Sequence, residues 1–255
     1  GLKTWVRDLD HSCLAIQGPP GTGKTFRGAH IVHSLVMAGL RVGVTSQSHH
    51  AIDNFMAEVV NVMSDEGDLD ELRAVRKVQR RPDHQLPHVD YVTDNKKCGD
   101  TDYNVVAGTT WLFANPAMQT APVDVLIIDE AGQLSLADAL AAMSCARNVV
   151  LLGDPQQLGQ VSQAAHPGGG GASVLEHLLG DHPTIAADSG IFLSSSRRMH
   201  PDVCRFISDQ LYESRLTSHE QCAVQATEVG TGLRWLRADH VGSTTSSETE
   251  ADLVE

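Results

Sequence analysis

Short apolar runs alternate with amphipathic stretches along most of the chain. Cys13-Leu14-Ala15-Ile16, Arg41–Thr45, Asn104–Ala107, Val123–Ile128 and Asn148–Leu152 are rich in β-branched residues and poor in polar ones. Strands apolar on both faces belong inside a parallel sheet. Between these runs the spacing becomes helical. Phe26, Ala29, Ile31, Val32 and Leu35 form one apolar stripe, and Ile52, Phe55, Met56, Val59 and Val60 form another, with Ser48 as its N-cap. Further helices are predicted from Leu134, over 172–179, and from Pro201 to Leu211. Ile191-Phe192-Leu193 opens another strand, and Leu233–Leu236 reads as a weak one. Residues 64–102 show no clear period, and Pro167–Gly171 reads as a flexible glycine loop. Alternation of strand and helix predicts an α/β fold in three layers around a mostly parallel sheet.

Composition adjusts this picture only slightly. A chain of 255 residues with 41% apolar content can hold one large domain, or one and part of a second. The net charge of −13 counts against a nucleic-acid footprint over the whole surface, but not against a local positive groove. Much of the acidity sits in Ser64–Glu71 and in Ser247–Glu255. The cationic run Arg73, Arg76, Lys77, Arg80 and Arg81 reads equally well as a solvated face or as a phosphate-contacting patch. Five scattered cysteines without a C-x-x-C pair favour reduced thiols and a cytoplasmic setting. No apolar run is long enough to span a bilayer, so no membrane partner is expected. Both ends, at Gly1 and at Glu255, read as cuts in a longer protein.

The strongest chemical signal is Gly18-Pro19-Pro20-Gly21-Thr22-Gly23-Lys24-Thr25, a G-x-x-x-x-G-K-[ST] phosphate-binding loop between a strand and a helix. Its glycines let the backbone curl so that N–H groups form a nest for phosphate oxygens. Lys24 supplies a mobile charge for the β- and γ-phosphates, and Thr25 a hydroxyl for Mg²⁺. Asp129 and Glu130 end the apolar run 123–128, at the strand edge where open α/β sheets bind ligands. There Asp129 would hold Mg²⁺ and Glu130 would take a proton from, or orient, the attacking water. Gln157 closes a third such strand end and is a candidate sensor of the γ-phosphate.

With Asp129-Glu130-Ala131-Gly132-Gln133, Gly153-Asp154-Pro155-Gln156-Gln157-Leu158 and Arg198-Met199-His200-Pro201 all in place, the chain resembles a superfamily 1B helicase. Four motifs stand in that family's order over residues 13–201. Val42–Thr45, Ala107–Phe113, Leu151–Leu158 and Ala172–Leu179 look most like the helicase half of bacterial RecB-like nuclease–helicase fusions. The resemblance implies a RecA-like P-loop domain over residues 1–189 and the truncated start of a second over 190–255. It implies ATP and Mg²⁺ as cofactors, with Lys24, Glu130, Gln157 and Arg198 catalytic and Arg198 acting as an arginine finger. The nucleic-acid track would use Thr45, Ser46, Gln47, Ser48 and His49 together with Thr109 and Thr110. The expected partner is single-stranded nucleic acid, DNA favoured over RNA, travelled 5′ to 3′, with a nuclease domain preceding Gly1. Unwinding by these residues alone is not expected.

Two departures stand out. Arg197 replaces an aromatic common before Arg198, and no glutamine for reading adenine occurs between Gly1 and Ile16. A GTPase would need an Asn/Thr-Lys-x-Asp reader, and Asn95-Lys96-Lys97-Cys98 lacks the Asp. A transporter ATPase would need Leu-Ser-Gly-Gly-Gln, which is absent. An RNA helicase of the same branch and a non-motor nucleotide-binding module are the alternatives. Intact Lys24, Asp129 and Glu130 speak against the module.

Overall fold

The computed structural model describes residues 2–159 and 171–254. Its strands are β1 (Cys13–Gln17), β2 (Val42–Thr45), β3 (Ala74–Lys77), β4 (Val89–Val92), β5 (Val105–Ala107), β6 (Val123–Ile128), β7 (Ala146–Gly153) and β8 (Gly190–Phe192). They form one sheet in the order β4-β3-β5-β2-β6-β7-β1-β8, and every pairing is parallel.

The apolar runs are continuous because each strand feeds two cores. Val125 and Ile127 face one with Val42, Val44 and Ile16, while Leu126 and Ile128 face the other with Val106 and Leu151. The first core is covered by α1 (Leu2–Arg7), α2 (Lys24–Val36) and α3 (His49–Asp65). The second is covered by α4 (Asn95–Cys98), α5 (Thr110–Phe113), α6 (Pro116–Thr120), α7 (Leu136–Met143) and α8 (Val174–Leu179). Each fully buried Ile, Leu or Val contributes about 1.5–3 kcal/mol. The result is the three-layer α/β arrangement of a RecA-like P-loop domain.

After β8 the chain builds a smaller unit. Parallel strands β9 (Ser195–Ser196) and β10 (Thr217–Ser218) are joined through α9 (Pro201–Leu211), over a cluster of Cys204, Tyr212 and Leu216. β8 pairs with β1, so residues 190–192 complete the main sheet, and the small sheet begins after them.

The irregular reading of residues 64–102 needs correction, because β3 and β4 lie within it. Each spans only four residues, and a charge interrupts each apolar pattern. Arg76 on β3 is fully buried, donating to Asp53 at 2.7 Å and to the carbonyl oxygens of Lys77 and His49 at 2.6 and 3.3 Å. The cationic run therefore divides: Arg76 is structural, and Arg73, Arg80 and Arg81 are exposed. The weak strand at Leu233–Leu236 does not form; Trp235 there is 88% exposed, and among the described residues no neighbouring strand offers a ladder. Of the glycine loop Pro167–Gly171, only Gly171 lies within the described residues. The tail ends in α10 (Glu248–Val254), which buries nothing. Among the described residues no helix is long and apolar enough to cross a membrane.

Candidate functional site

The loop after β1 is held open by its own hydrogen bonds. Gly18 donates its N–H to the Gly153 carbonyl at 2.8 Å, fixing the loop to the end of β7. Gly21 and Gly23 have φ of 79° and 76°, a left-handed conformation natural to glycine. Four of its carbonyls are turned away into bonds. That of Gly18 accepts from Lys24 Nζ at 2.7 Å, and that of Pro19 from Thr22 Oγ1 at 2.7 Å. Pro20 O accepts from Ser196 Oγ at 2.8 Å, and Gly21 O from the N–H of Arg197 at 2.8 Å. Among the described residues, the N–H groups of Gly21, Gly23, Lys24 and Thr25 have no acceptor. They belong to the loop and to the first turn of α2, where orphan donors and the helix dipole favour an anion.

At the end of β6, Asp129 donates its N–H to the Thr45 carbonyl at 2.9 Å, and its side chain is only 4% exposed. Its Oδ1 is buried without a partner among the described residues. Burial, and then the neighbouring Glu130 carboxylate, push the Asp129 carboxyl up to about 7. A buried, unpaired carboxylate oxygen fits a divalent cation, which would relieve both the lost solvation and the repulsion. Glu130 sits in the left-handed region at φ 53°, a strained conformation for a side chain with a Cβ. Two glycines press this turn onto the next strand end. A Cβ on Gly132 would meet Asp154 O at 2.4 Å, and one on Gly153 would meet Gly132 N at 2.6 Å.

Asp154, buried at the end of β7, accepts from Gln157 Nε2 at 3.2 Å, which orients that side chain. Pro20–Phe26, Glu130, Gln157, Arg197, Arg198 and Gln225 line one cleft of about 610 Å³. All eight loop residues except Gly18 and Pro19 are on its wall, as are Lys24, Glu130, Gln157 and Arg198. Arg197, noted in the sequence only as a departure, shares the cleft. Gln225 carried no signal at all. Phe26 is a correction: it leaves the apolar stripe of α2, is 54% exposed, and sets its ring edge-on to His30 at 4.5 Å.

The residues expected to meet nucleic acid lie at the C-terminal ends of β2 and β5, which are neighbours in the sheet. Gln47, Ser48 and His49 are exposed, and Thr109 and Thr110 are half-buried at the start of α5. Thr45 and Ser46 are different: both are buried, and their hydroxyls have no partner among the described residues. They lie beneath the turn, because Thr45 still belongs to β2 and pairs with Ile128. Ser48 Oγ caps α3 by accepting from Ala51 N at 3.1 Å, and His49 Nδ1 lies 3.1 Å from Arg76 Nη2.

Residues 6–168 match the AAA domain family. The chain belongs to this family. This AAA domain is 30% identical over 209 residues to the DNA replication ATP-dependent helicase/nuclease DNA2 of Saccharomyces cerevisiae, a match covering 79% of the chain and 13% of that protein. It is 30% identical over 223 residues to the DNA replication ATP-dependent helicase/nuclease JHS1 of Arabidopsis thaliana, covering 84% of the chain and 16% of that protein. The chain thus spans less than a fifth of either relative. The fold is similar to that of the Arterivirus nonstructural protein 10 helicase in complex with DNA, with a TM-score of 0.50 and 16% identity over 81% of the chain and 41% of that structure. The AAA domain is therefore a P-loop domain of the superfamily 1 helicase type.

Proposed function

We propose that this cleft hydrolyses ATP with Mg²⁺ and that the hydrolysis drives a motor along a single nucleic-acid strand. The observation that carries the reading is the convergence of Lys24, Glu130, Gln157 and Arg198 on one cleft whose floor is a nest of free N–H groups. The nest takes the phosphates, and Lys24 exchanges the Gly18 carbonyl for a phosphate oxygen. Thr25 and Asp129 would hold Mg²⁺, which supplies neutralisation of the phosphate charge. Glu130 accepts the proton of the attacking water, Gln157 reads the γ-phosphate, and Arg198 faces the charge that develops as the bond breaks. Exposed Gln47, Ser48 and His49, with Thr109 and Thr110, form the track for phosphates and sugars.

The 5′-to-3′ direction follows from the resemblance to the superfamily 1B branch, and DNA is favoured over RNA because the relatives named above are DNA replication helicases that are also nucleases. For the same reason a nuclease domain is the proposed partner within the protein. The test is ATP turnover by the full-length protein with single-stranded DNA, with RNA and with neither. DNA is expected to stimulate most, and both Lys24→Ala and Glu130→Gln to abolish turnover. Stimulation should fall steeply with salt, as phosphate contacts require. Wild-type turnover in Glu130→Gln would refute the mechanism.

A further inference from the structure

Tyr212 caps the C-terminal end of α9 and is 1% exposed, with its ring 6.1 Å from that of Phe192. Its hydroxyl donates to Asp154 Oδ2 at 2.6 Å. Burial and the Asp154 carboxylate push the phenol well above its ordinary value, so it stays a donor. Asp154 is 2% exposed, and its other partners are all uncharged donors. Oδ1 accepts from Gln156 N at 3.2 Å and from Gln17 Nε2 at 3.4 Å. Oδ2 accepts from Gln157 Nε2 at 3.2 Å as well as from Tyr212. Gln17 is itself fully buried and locked by Ile185 N at 2.8 Å and Pro183 O at 3.0 Å. One carboxylate oxygen therefore serves two donors, one from α9 and one from the cleft.

We infer that Tyr212 is a positioning residue for Gln157. The inference rests on the reading of Gln157 as the residue that meets the γ-phosphate. For its Nε2 to turn fully toward a phosphate in the cleft, Gln157 gives up its bond to Asp154 Oδ2. A buried carboxylate oxygen left without a donor is costly. The Tyr212 hydroxyl stays on Oδ2 when the amide turns away, so release leaves no orphan. The same helix starts three residues after Arg198, which lines the cleft together with Gln157. Docking of α9 thus delivers Arg198 at one end and frees Gln157 through Tyr212 at the other.

Tyr212→Phe removes only the hydroxyl. Gln157 then becomes the sole donor to Oδ2 and is held back. In the full-length protein, nucleic-acid-stimulated kcat is expected to fall roughly ten-fold, the scale of one charge-assisted hydrogen bond. The KM for ATP should stay within about two-fold, because the loop nest does not touch Tyr212. The deciding readout is a double-mutant cycle: Tyr212→Phe added to Gln157→Ala should lower kcat no further. Wild-type kcat in Tyr212→Phe, or losses that multiply in the double variant, would overturn the inference and leave the role of Gln157 intact. Lost nucleotide binding in Tyr212→Phe would make the hydroxyl merely structural and overturn it too. Wild-type kcat in Gln157→Ala would overturn both the sensor reading and the inference built on it.

Discussion

Gly132→Ala tests how closely two turns must approach to assemble the cleft. The added Cβ would lie 2.4 Å from Asp154 O, 2.7 Å from its carbonyl carbon and 3.1 Å from Pro155 N. All three are backbone atoms, so no side chain can swing aside. From the other side, Gly153 already sits against the N–H groups of Gly132 and Ala131. Restoring ordinary contact separates the turns by about 1 Å. One turn carries Glu130 and the other Gln157, so the strain appears as a misplacement of groups across the cleft. A 1 Å misplacement costs on the order of 100-fold in rate, and overpacking of this kind costs about 1–3 kcal/mol. Steady-state ATP turnover should therefore lose about two orders of magnitude in kcat. Nucleotide affinity, measured by titration, should change only a few-fold, since the nest is built on β1 and α2. The thermal midpoint should drop by roughly 2–4 °C for each kcal/mol lost. Gly159→Ala is the control, because among the described residues nothing lies within 4 Å of a Cβ there. Wild-type kcat in Gly132→Ala would show that the two turns need not touch, and the geometric account of the site would fall.

Glu130→Gly should raise stability in chemical denaturation by about 1 kcal/mol, by relieving a left-handed residue, while abolishing ATP turnover; lower stability would mean the φ of 53° carries no strain. Asp129→Asn should weaken Mg²⁺-dependent nucleotide binding about ten-fold and leave binding in EDTA unchanged, measured by titration with and without the metal. Arg76→Met should cost about 2–3 kcal/mol in denaturant unfolding, because the carbonyls of Lys77 and His49 lose a buried donor; Arg76→Lys should not rescue it, since a point charge cannot reproduce the guanidinium fork.

That the loop, Glu130 and Gln157 share one cleft could be anticipated from the sequence, because residue type and spacing are local and apolar strands mark where they must sit. The central strands were legible for the same reason, since burial on both faces removes polar positions. β3 was not legible, because Arg76 is satisfied by Asp53 and His49, which precede it by more than twenty residues. A buried ion pair looks like a surface charge until the partner is known. The fates of Thr45 and Ser46 were hidden similarly: a polar run predicts a turn, but not which of its side chains point beneath it. Gln225, distant in sequence from every motif, reaches the cleft only through the folding of the small sheet.

Glycine does different work at the two left-handed positions of the loop. At Gly23 a Cβ would find nothing closer among the described residues than Phe26 Cβ at 3.9 Å, so only the backbone conformation asks for glycine. At Gly21 a Cβ would strike Arg198 Cβ at 2.4 Å and Ser196 Oγ at 2.7 Å. The missing side chain there lets the segment from Ser196 to Arg198 lie directly on the loop. That segment occupies the carbonyls of Pro20 and Gly21, so the loop peptides keep their N–H groups toward the cleft. The same contact carries Arg198 to the cleft wall. The polarity of the nest and the delivery of the arginine therefore rest on one docking event. A displacement of β9 from the loop would withdraw Arg198 and release the two carbonyls together, and a cleft with carbonyls free to turn inward binds anions poorly. On the proposed reading of the cleft, phosphate affinity and the approach of the arginine would be coupled through Gly21 rather than set independently.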